Sequence, residues 1–252
     1  MAGHARGMAG DSDGRRQRRP VRLQSVRLHS YSMSDALATH AGAGPDAAGL
    51  AGVGLAAVAG LHDRLTRSWH AEAMETWQPP ADALDSLVAR QHLANFELWH
   101  TEDAARAVGA TDEQLAAVKR RIDATNQRRN DLAEAIDRHL LEVLAGMGLP
   151  RADAELHSET PGLMIDRLSI LSLKIFHTQE EIERPEAPDG HADRNRERLA
   201  ILLEQREDLA GCLVRLWQQT VEGRRRFKLY RQLKMYNDPS LNPVVYRGAR
   251  VG

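Results

Sequence analysis

The chain has 252 residues, of which 42% are hydrophobic and only 4% aromatic. Because β-branched and aromatic strand formers are scarce, this composition favours a core of packed helices over a sheet. The 34 basic and 35 acidic residues nearly cancel, which excludes a strong overall attraction to nucleic acid or membrane. Cys212 is the only cysteine, so an internal disulfide and a cysteine-rich metal site are excluded and a reducing cytoplasm is expected.

The first eighty residues carry weak structural signals. Residues 1–32 combine Gly, Ser, Asp and Arg with little periodicity and predict a disordered basic arm. Residues 33–80 form a Gly- and Ala-rich segment in which a helix over 47–75 is indicated, although its glycines oppose it. No apolar run of a signal peptide follows the arginines, and the run at 47–61 is too short and glycine-rich to span a bilayer.

Two helices follow, each with a start signal. The first is predicted over 81–108, with Asp82 as a candidate N-cap. The second is predicted over 112–146, because Thr111 and Gln114 have the spacing of a capping box.

Two further helices and a shorter one are predicted near the C-terminus. Thr160 is placed to cap a helix that has Pro161 at its first position. After a loop at 184–190, a long helix is predicted over 191–222, and a shorter one over 223–235.

These elements predict an all-α fold, a multi-helix bundle with two long antiparallel helices, over residues 81–246. A short tail follows at 247–252. There is no βαβ alternation, glycine-rich phosphate loop, GxSxG motif or internal repeat.

Polar residues interrupt the apolar faces of several helices. The stripe of the 112–146 helix is broken at Arg129, which Asn126 and Asn130 flank, and Arg206 breaks the last long helix in the same way. An unpaired buried guanidinium is costly, so each arginine needs a carboxylate, a bound anion or water. For any one residue, a salt bridge or a side chain that reaches solvent is the simpler explanation. The argument for a site rests on several helices having such breaks together.

Four motifs resemble the bacterial DUF4254 family over about residues 90–246. They are "NFELWHTEDAAR", "VKRRIDATNQRRNDLAEAID", "SETPGLMIDRLSIL" followed by "LKIFH", and "KLYRQLKMYNDPSLNP". The family name denotes a domain of unknown function, so the resemblance implies no reaction. It implies that the motifs form one domain, and that members often accompany genes for sugar transfer and cell-surface glycans.

An anionic metabolite is the first ligand class that fits these residues. The helix start after Thr160 presents N–H groups where the helix dipole favours negative charge. Cations on several helices supply charge-assisted hydrogen bonds to phosphate or carboxylate. The predicted ligand-binding residues are Asn126, Arg129, Asn130, Thr160, Arg167, Lys174 and Lys234. A phosphorylated or nucleotide-linked sugar suits this chemistry and the implied glycan association.

Two acid–base pairs are predicted for a reaction on such a ligand, His100 with Glu97 or His177 with Asp166. Metal binding is an alternative, because Glu97-x-x-His100 has the spacing found in helical di-iron proteins. The order is reversed in His177-x-x-Glu180, and no second copy in the usual order is present, so no metal or cofactor is assigned.

Two binding roles of other classes stay open. The segment "RRRFKLYRQLKMY" interleaves cations with aromatics, as a nucleic-acid surface does, but the neutral total charge argues against that partner. The stronger rival is a non-catalytic accessory protein whose long helices pair, and which binds a glycosyltransferase or itself. A pocket with converging Arg, Asn and His favours the metabolite, and a large exposed leucine patch favours the accessory protein.

Overall fold

The computed structural model describes residues 54–71, 77–106, 109–233 and 240–243. The predicted basic arm at 1–32 and the tail at 247–252 lie outside these residues. The described part contains five α-helices and two strands of two residues each, which confirms the all-α prediction. None of these helices is long and apolar enough to cross a bilayer.

A 3-10 turn at Gly54–Ala57 precedes the first helix. The helices are α1 Val58–Ala71, α2 Ala83–Ala105, α3 Asp112–Ala145, α4 Pro161–Glu183 and α5 His191–Val221, and the strands are β1 Glu155–Leu156 and β2 Arg225–Arg226.

The predicted start signals act as caps. The Asp82 carboxylate accepts the Asp85 N–H at 2.9 Å at the start of α2. Thr111 and Gln114 form the full capping box of α3. Thr160 caps α4, with proline at the first helical position. These caps satisfy N–H groups that a helix start leaves without intrahelical partners.

The core forms where two helix pairs meet. α4 packs mainly on α5, and α2 packs mainly on α3, so each long helix lies beside a shorter one rather than beside the other long helix. α1 packs on α2 and α4. Apolar side chains buried at the centre include Val88, Ile136, Leu140, Met164, Leu168, Leu213 and Trp217. The fold therefore brings α1, α2 and α4 together, while α3 packs on α2 and α4 and α5 packs on α4.

The helix predicted over 223–235 is wrong for the residues that the structure describes. Gly223 has φ 71°, a left-handed conformation in which α5 ends. β2 then pairs in parallel with β1, and residues 227–233 have neither helix nor strand. Phe227 is buried in the core with 1% of its surface exposed. The conformation of this segment is therefore determined by its pairing with β1 and by the burial of Phe227, not by its local helical pattern.

Candidate functional site

A buried polar network joins α2, α3 and α4 at Asp166, which is 7% exposed. Its carboxylate accepts hydrogen bonds from Gln91 Nε2, from Asn95 Nδ2 at 3.0 Å and from Arg129 Nη2 at 3.0 Å. Arg129 Nε also lies 2.9 Å from Asp166 Oδ1, without the geometry of a hydrogen bond. The break that Arg129 makes in the apolar face of α3 is therefore compensated by a carboxylate of α4.

The network continues to α1 through His92. The ring is fully buried, with Nδ1 2.7 Å from Ser169 Oγ and Nε2 2.8 Å from Thr66 Oγ1. Asn95 Nδ2 also donates to Ser169 Oγ at 2.9 Å. Burial lowers the pKa of His92 well below its usual value. A neutral imidazole offers one donor and one acceptor, which suits two hydroxyl partners. The network thus links all four helices α1 to α4 through buried side chains, with Gln91 Oε1 left without a partner among the described residues.

His62 lies against this network without joining it. Its ring stacks on His92 with centroids 4.5 Å apart, and it is fully buried. Neither ring nitrogen has a hydrogen-bond partner among the described residues. Burial lowers the pKa of His62 to about 3.

Replacing His62 with leucine is expected to stabilise the protein at pH 7 by about 1 kcal/mol, because a buried polar ring without partners is removed. The folded pKa of about 3 lies below the ordinary value of 6.5. Between pH 6.5 and 3 the ring is protonated in the unfolded protein but not in the folded one, so stability falls as the pH drops from 6.5 toward 3 and is unaffected by this group above pH 6.5. At pH 5 the loss is on the order of 2 kcal/mol. Urea denaturation at pH 7 and pH 5 measures both effects. Equal stability of the wild type and His62→Leu at pH 7 would contradict the first effect, and an equal pH dependence of the two proteins would contradict the second.

The start of α4 is occupied by the protein's own side chains. Thr160 is fully buried and accepts the Leu163 N–H at 3.3 Å. Asp137 of α3 accepts the Gly162 N–H at 2.6 Å, and burial raises the pKa of Asp137 to about 6. An internal carboxyl group therefore lies where the sequence predicted a bound anion.

Three histidines from three helices form a second feature, which we call the histidine cluster. His70 of α1, His100 of α2 and His177 of α4 each place one ring nitrogen within 4.8 Å of the other two. Their ring centroids are 5.1–5.8 Å apart. All three residues are half-buried. Imidazole is the commonest protein ligand for metals, so the cluster has a donor set that could hold one ion.

Hydrogen bonds fix two of the three rings. His70 Nδ1 donates to the Thr66 carbonyl at 2.7 Å, and His177 Nδ1 donates to Glu180 Oε2 at 2.7 Å. The Nε2 atoms of both rings are buried and have no hydrogen-bond partner among the described residues. Burial is the main cause that lowers the pKa of His70 and of His100, and the neighbouring imidazoles lower both further.

Aromatic side chains surround the histidine cluster. Phe176 stacks on His70 with centroids 4.2 Å apart, and Trp99 stacks on His177 at 4.7 Å with the planes 8° apart. Phe96 meets the His70 ring edge to face at 4.9 Å. These contacts restrict ring rotation and keep part of the cluster out of water.

An open groove of about 430 Å³ lies between α4 and α5, and we call it the α4–α5 groove. Its cations are Lys174 and Arg198, which are both exposed, and His177 is shared with the histidine cluster. Arg198 donates to Asn195 Oδ1 at 3.2 Å, whereas Lys174 forms no ion pair with a described residue. Glu181 is also part of the lining. The volume is within the range of small-molecule sites.

The predicted ligand-binding residues are distributed over these features. Arg129 is bound to Asp166 in the buried polar network. Arg167 is exposed and pairs with Glu159 at 2.7 Å. Lys174 lines the α4–α5 groove.

The four remaining predicted residues are Thr160, which caps α4, and three that lie away from the groove or outside the described chain. Asn126 accepts from Arg129 at 3.4 Å, and Asn130 is half-buried on the same helix. Lys234 lies outside the described residues.

The predicted acid–base pairs have other partners in the structure. Glu97 forms an ion pair with Arg128, not with His100. His177 is hydrogen-bonded to Glu180 and not to Asp166, the carboxylate predicted as its partner. His100 and His177 nevertheless meet, because both belong to the histidine cluster.

Sequence reasoning missed His70 and the α2 half of the buried polar network. His70 lies in a segment whose glycines opposed the helix prediction. Gln91 and His92 lie just before the motif that carried the resemblance. The spacing of four residues from His92 through Phe96 to His100 was the signal that could have found this face.

The family model DUF4254, described as a protein of unknown function, matches residues 85–229. This confirms the resemblance, with an earlier end than the motifs suggested. The matched range contains Asp166, His100 and His177, whereas His70 lies before it. No curated protein and no solved structure was found that matches the chain.

Proposed function

This chain belongs to the DUF4254 family, and we propose that it binds an anionic metabolite, phosphorylated or nucleotide-linked, in the α4–α5 groove. The observation that carries the proposal is the groove itself, which combines a suitable volume with two exposed cations and an imidazole. Of the residues predicted as anion ligands, Lys174 is the one that lines it.

The groove has parts suited to both ends of such a ligand. Arg198 can bind two phosphate oxygens through its planar guanidinium, and Lys174 adds a point charge. Ile201 and Leu202 offer apolar surface to a sugar ring or a base. His177 adds an imidazole ring to the lining, with its Nδ1 bonded to Glu180 and its Nε2 buried.

The ligand class follows from this chemistry together with the family resemblance. A sugar phosphate or nucleotide sugar used in glycan or secondary-metabolite assembly carries the required charge and ring. Cys212, the single cysteine, suits the reducing cytoplasm in which we place this activity.

Thermal unfolding with a panel of sugar phosphates, nucleotide sugars and free nucleotides tests the proposal. A ligand present at 100 times its Kd stabilises the folded protein by about 2.7 kcal/mol. For a chain of this size, the expected rise in Tm is roughly 5–10 °C. In the double variant Lys174→Ala/Arg198→Ala the affinity is expected to fall at least about tenfold, because two charge-assisted bonds are lost.

The matched control is Arg196→Ala. Arg196 lies on α5, as Arg198 does. It is exposed and pairs with Asp193, but it does not line the groove. Arg167→Ala tests the sequence-based prediction of an anion clamp beside it. A ligand shift of equal size in the double variant and in Arg196→Ala would place binding elsewhere and contradict the proposal.

A helical accessory protein is the second candidate, and exposed apolar residues on α5 favour it. Ile201 is 54% exposed and Leu203 is 37% exposed. Such side chains suit contact with a glycosyltransferase or a second copy of the chain. Silence across the ligand panel, with a concentration-dependent dimer in sedimentation, would favour this role over metabolite binding.

A further inference from the structure

The histidine cluster brings one imidazole from each of three helices to a common point, which is the arrangement that a three-histidine metal site requires. Its three ring nitrogens lie within 4.8 Å of one another. Zinc binds imidazole nitrogen at about 2.0–2.1 Å, which places the nitrogens of a tetrahedral site roughly 3.3 Å apart. Each nitrogen therefore has to move by about 1 Å or less to reach bonding distance.

The hydrogen bonds of the cluster leave one ring nitrogen unbonded on two of its three histidines. A carbonyl and an ionised carboxylate only accept, so the proton of His70 and that of His177 lie on Nδ1. In a neutral ring Nε2 then carries the lone pair, and both Nε2 atoms are buried without a described partner. A histidine that ligates a metal usually donates its other N–H to a carbonyl or carboxylate in this way.

The surroundings suit a dication. The carboxylates of Asp103 and Glu180 act electrostatically on His100, and their negative charge would partly offset that of a bound dication. Phe96, Phe176 and Trp99 pack against the rings and limit their rotation. Three adjacent protonated imidazoles would repel one another, whereas three neutral ones can share one ion.

We propose that His70, His100 and His177 bind one divalent transition-metal ion of the zinc class through three imidazole nitrogens, with at least one further position open to water or an oxygen ligand. His177 also lines the α4–α5 groove, so the metal site borders that groove. The proposal does not rest on anion binding, because the cluster is defined by the protein's own side chains.

The test is a titration of the full chain, freed of metal with a chelator, with zinc alone. Competition with a chromophoric chelator gives the affinity and the number of ions, and cobalt substitution gives the coordination from its visible absorption. We expect one ion per chain and the strong absorption of four- or five-coordinate cobalt. Each of His70→Ala, His100→Ala and His177→Ala is expected to weaken zinc binding at least about 100-fold, because one of three ligands is lost.

Two further variants make the result specific. His139→Ala, on α3 outside the histidine cluster, should bind zinc as the wild type does. Glu180→Gln weakens only the orientation of His177, so it should lower zinc affinity roughly 10–100-fold without lowering the Tm of the metal-free protein. Because Glu180 is exposed, the Glu180→Gln variant still tests the proposal if one of the histidine-to-alanine variants fails to fold. The proposal is overturned if the wild type does not bind zinc, or if Glu180→Gln and the histidine variants bind it as tightly as His139→Ala does.

Discussion

Asp166→Ala is expected to destabilise the protein by about 3 kcal/mol, because it leaves a partly buried guanidinium and two buried amides without their shared acceptor. The three donors are Arg129, Gln91 and Asn95. For a chain of this length the expected fall in Tm is roughly 6–12 °C. Urea denaturation monitored by helical circular dichroism measures the change.

Asp153→Ala is the matched control. Asp153 also binds an arginine, Arg151, at 2.8 Å, but both side chains are largely exposed. Exposed ion pairs of this kind contribute at most about 1 kcal/mol. The double variant Arg129→Ala/Asp166→Ala should be less destabilised than the sum of its single changes, because it removes both charges. Equal losses for Asp166→Ala and Asp153→Ala would show that the buried polar network does not hold the helices.

Gly162→Ala is expected to destabilise the protein by about 3 kcal/mol or more, since α3 and α4 approach too closely at this residue for a side chain. A Cβ there would overlap the carbonyl oxygen of Ala133 and lie 2.9 Å from the Asp137 carboxyl. Relief requires the helices to separate, which would also weaken the bond from the Gly162 N–H to Asp137. The free energy of unfolding measures the effect.

Gly60→Ala is the control for this change. Gly60 lies inside α1, and the nearest atom to a new Cβ would be the end of the Arg64 side chain at 3.5 Å. Alanine is a better helix former than glycine, so this variant should gain about 0.5–1 kcal/mol. If both glycine variants changed stability in the same direction, the close approach of α3 and α4 would be in doubt.

Sequence patterns predicted the features that depend on neighbours within one turn. The capping box of Thr111 and Gln114 and the cap at Thr160 are such features, and both are confirmed. The helix predicted over 223–235 failed because its outcome depends on β1, about seventy residues earlier in the chain. A local period cannot reveal that Phe227 has a place in the core.

The two arginines that interrupt apolar helix faces show the same limit at the site. Their position predicted that each needs a partner, and each has a carboxylate. Arg129 binds Asp166, 37 positions away, at 3.0 Å. Arg206 binds both carboxylate oxygens of Asp63, 143 positions away, at 2.7 and 2.9 Å. The position of a charged residue in the apolar face of a helix indicates that it needs a partner. Which carboxylate becomes that partner depends on how the helices pack.

The histidine cluster could be predicted only in part for that reason. His100 and His177 stood out as single residues with acid–base chemistry. Their convergence with His70 depends on α1 packing against both α2 and α4. No spacing within one helix contains this information, because each helix contributes one imidazole.

Anomalous diffraction at the zinc edge from zinc-soaked crystals most directly tests whether His70, His100 and His177 together bind one metal ion. The expected result is a dominant peak about 2.0–2.1 Å from one nitrogen each of His70, His100 and His177. Peaks confined to other pairs such as His191 with Glu181, and none between the three imidazoles, would contradict it.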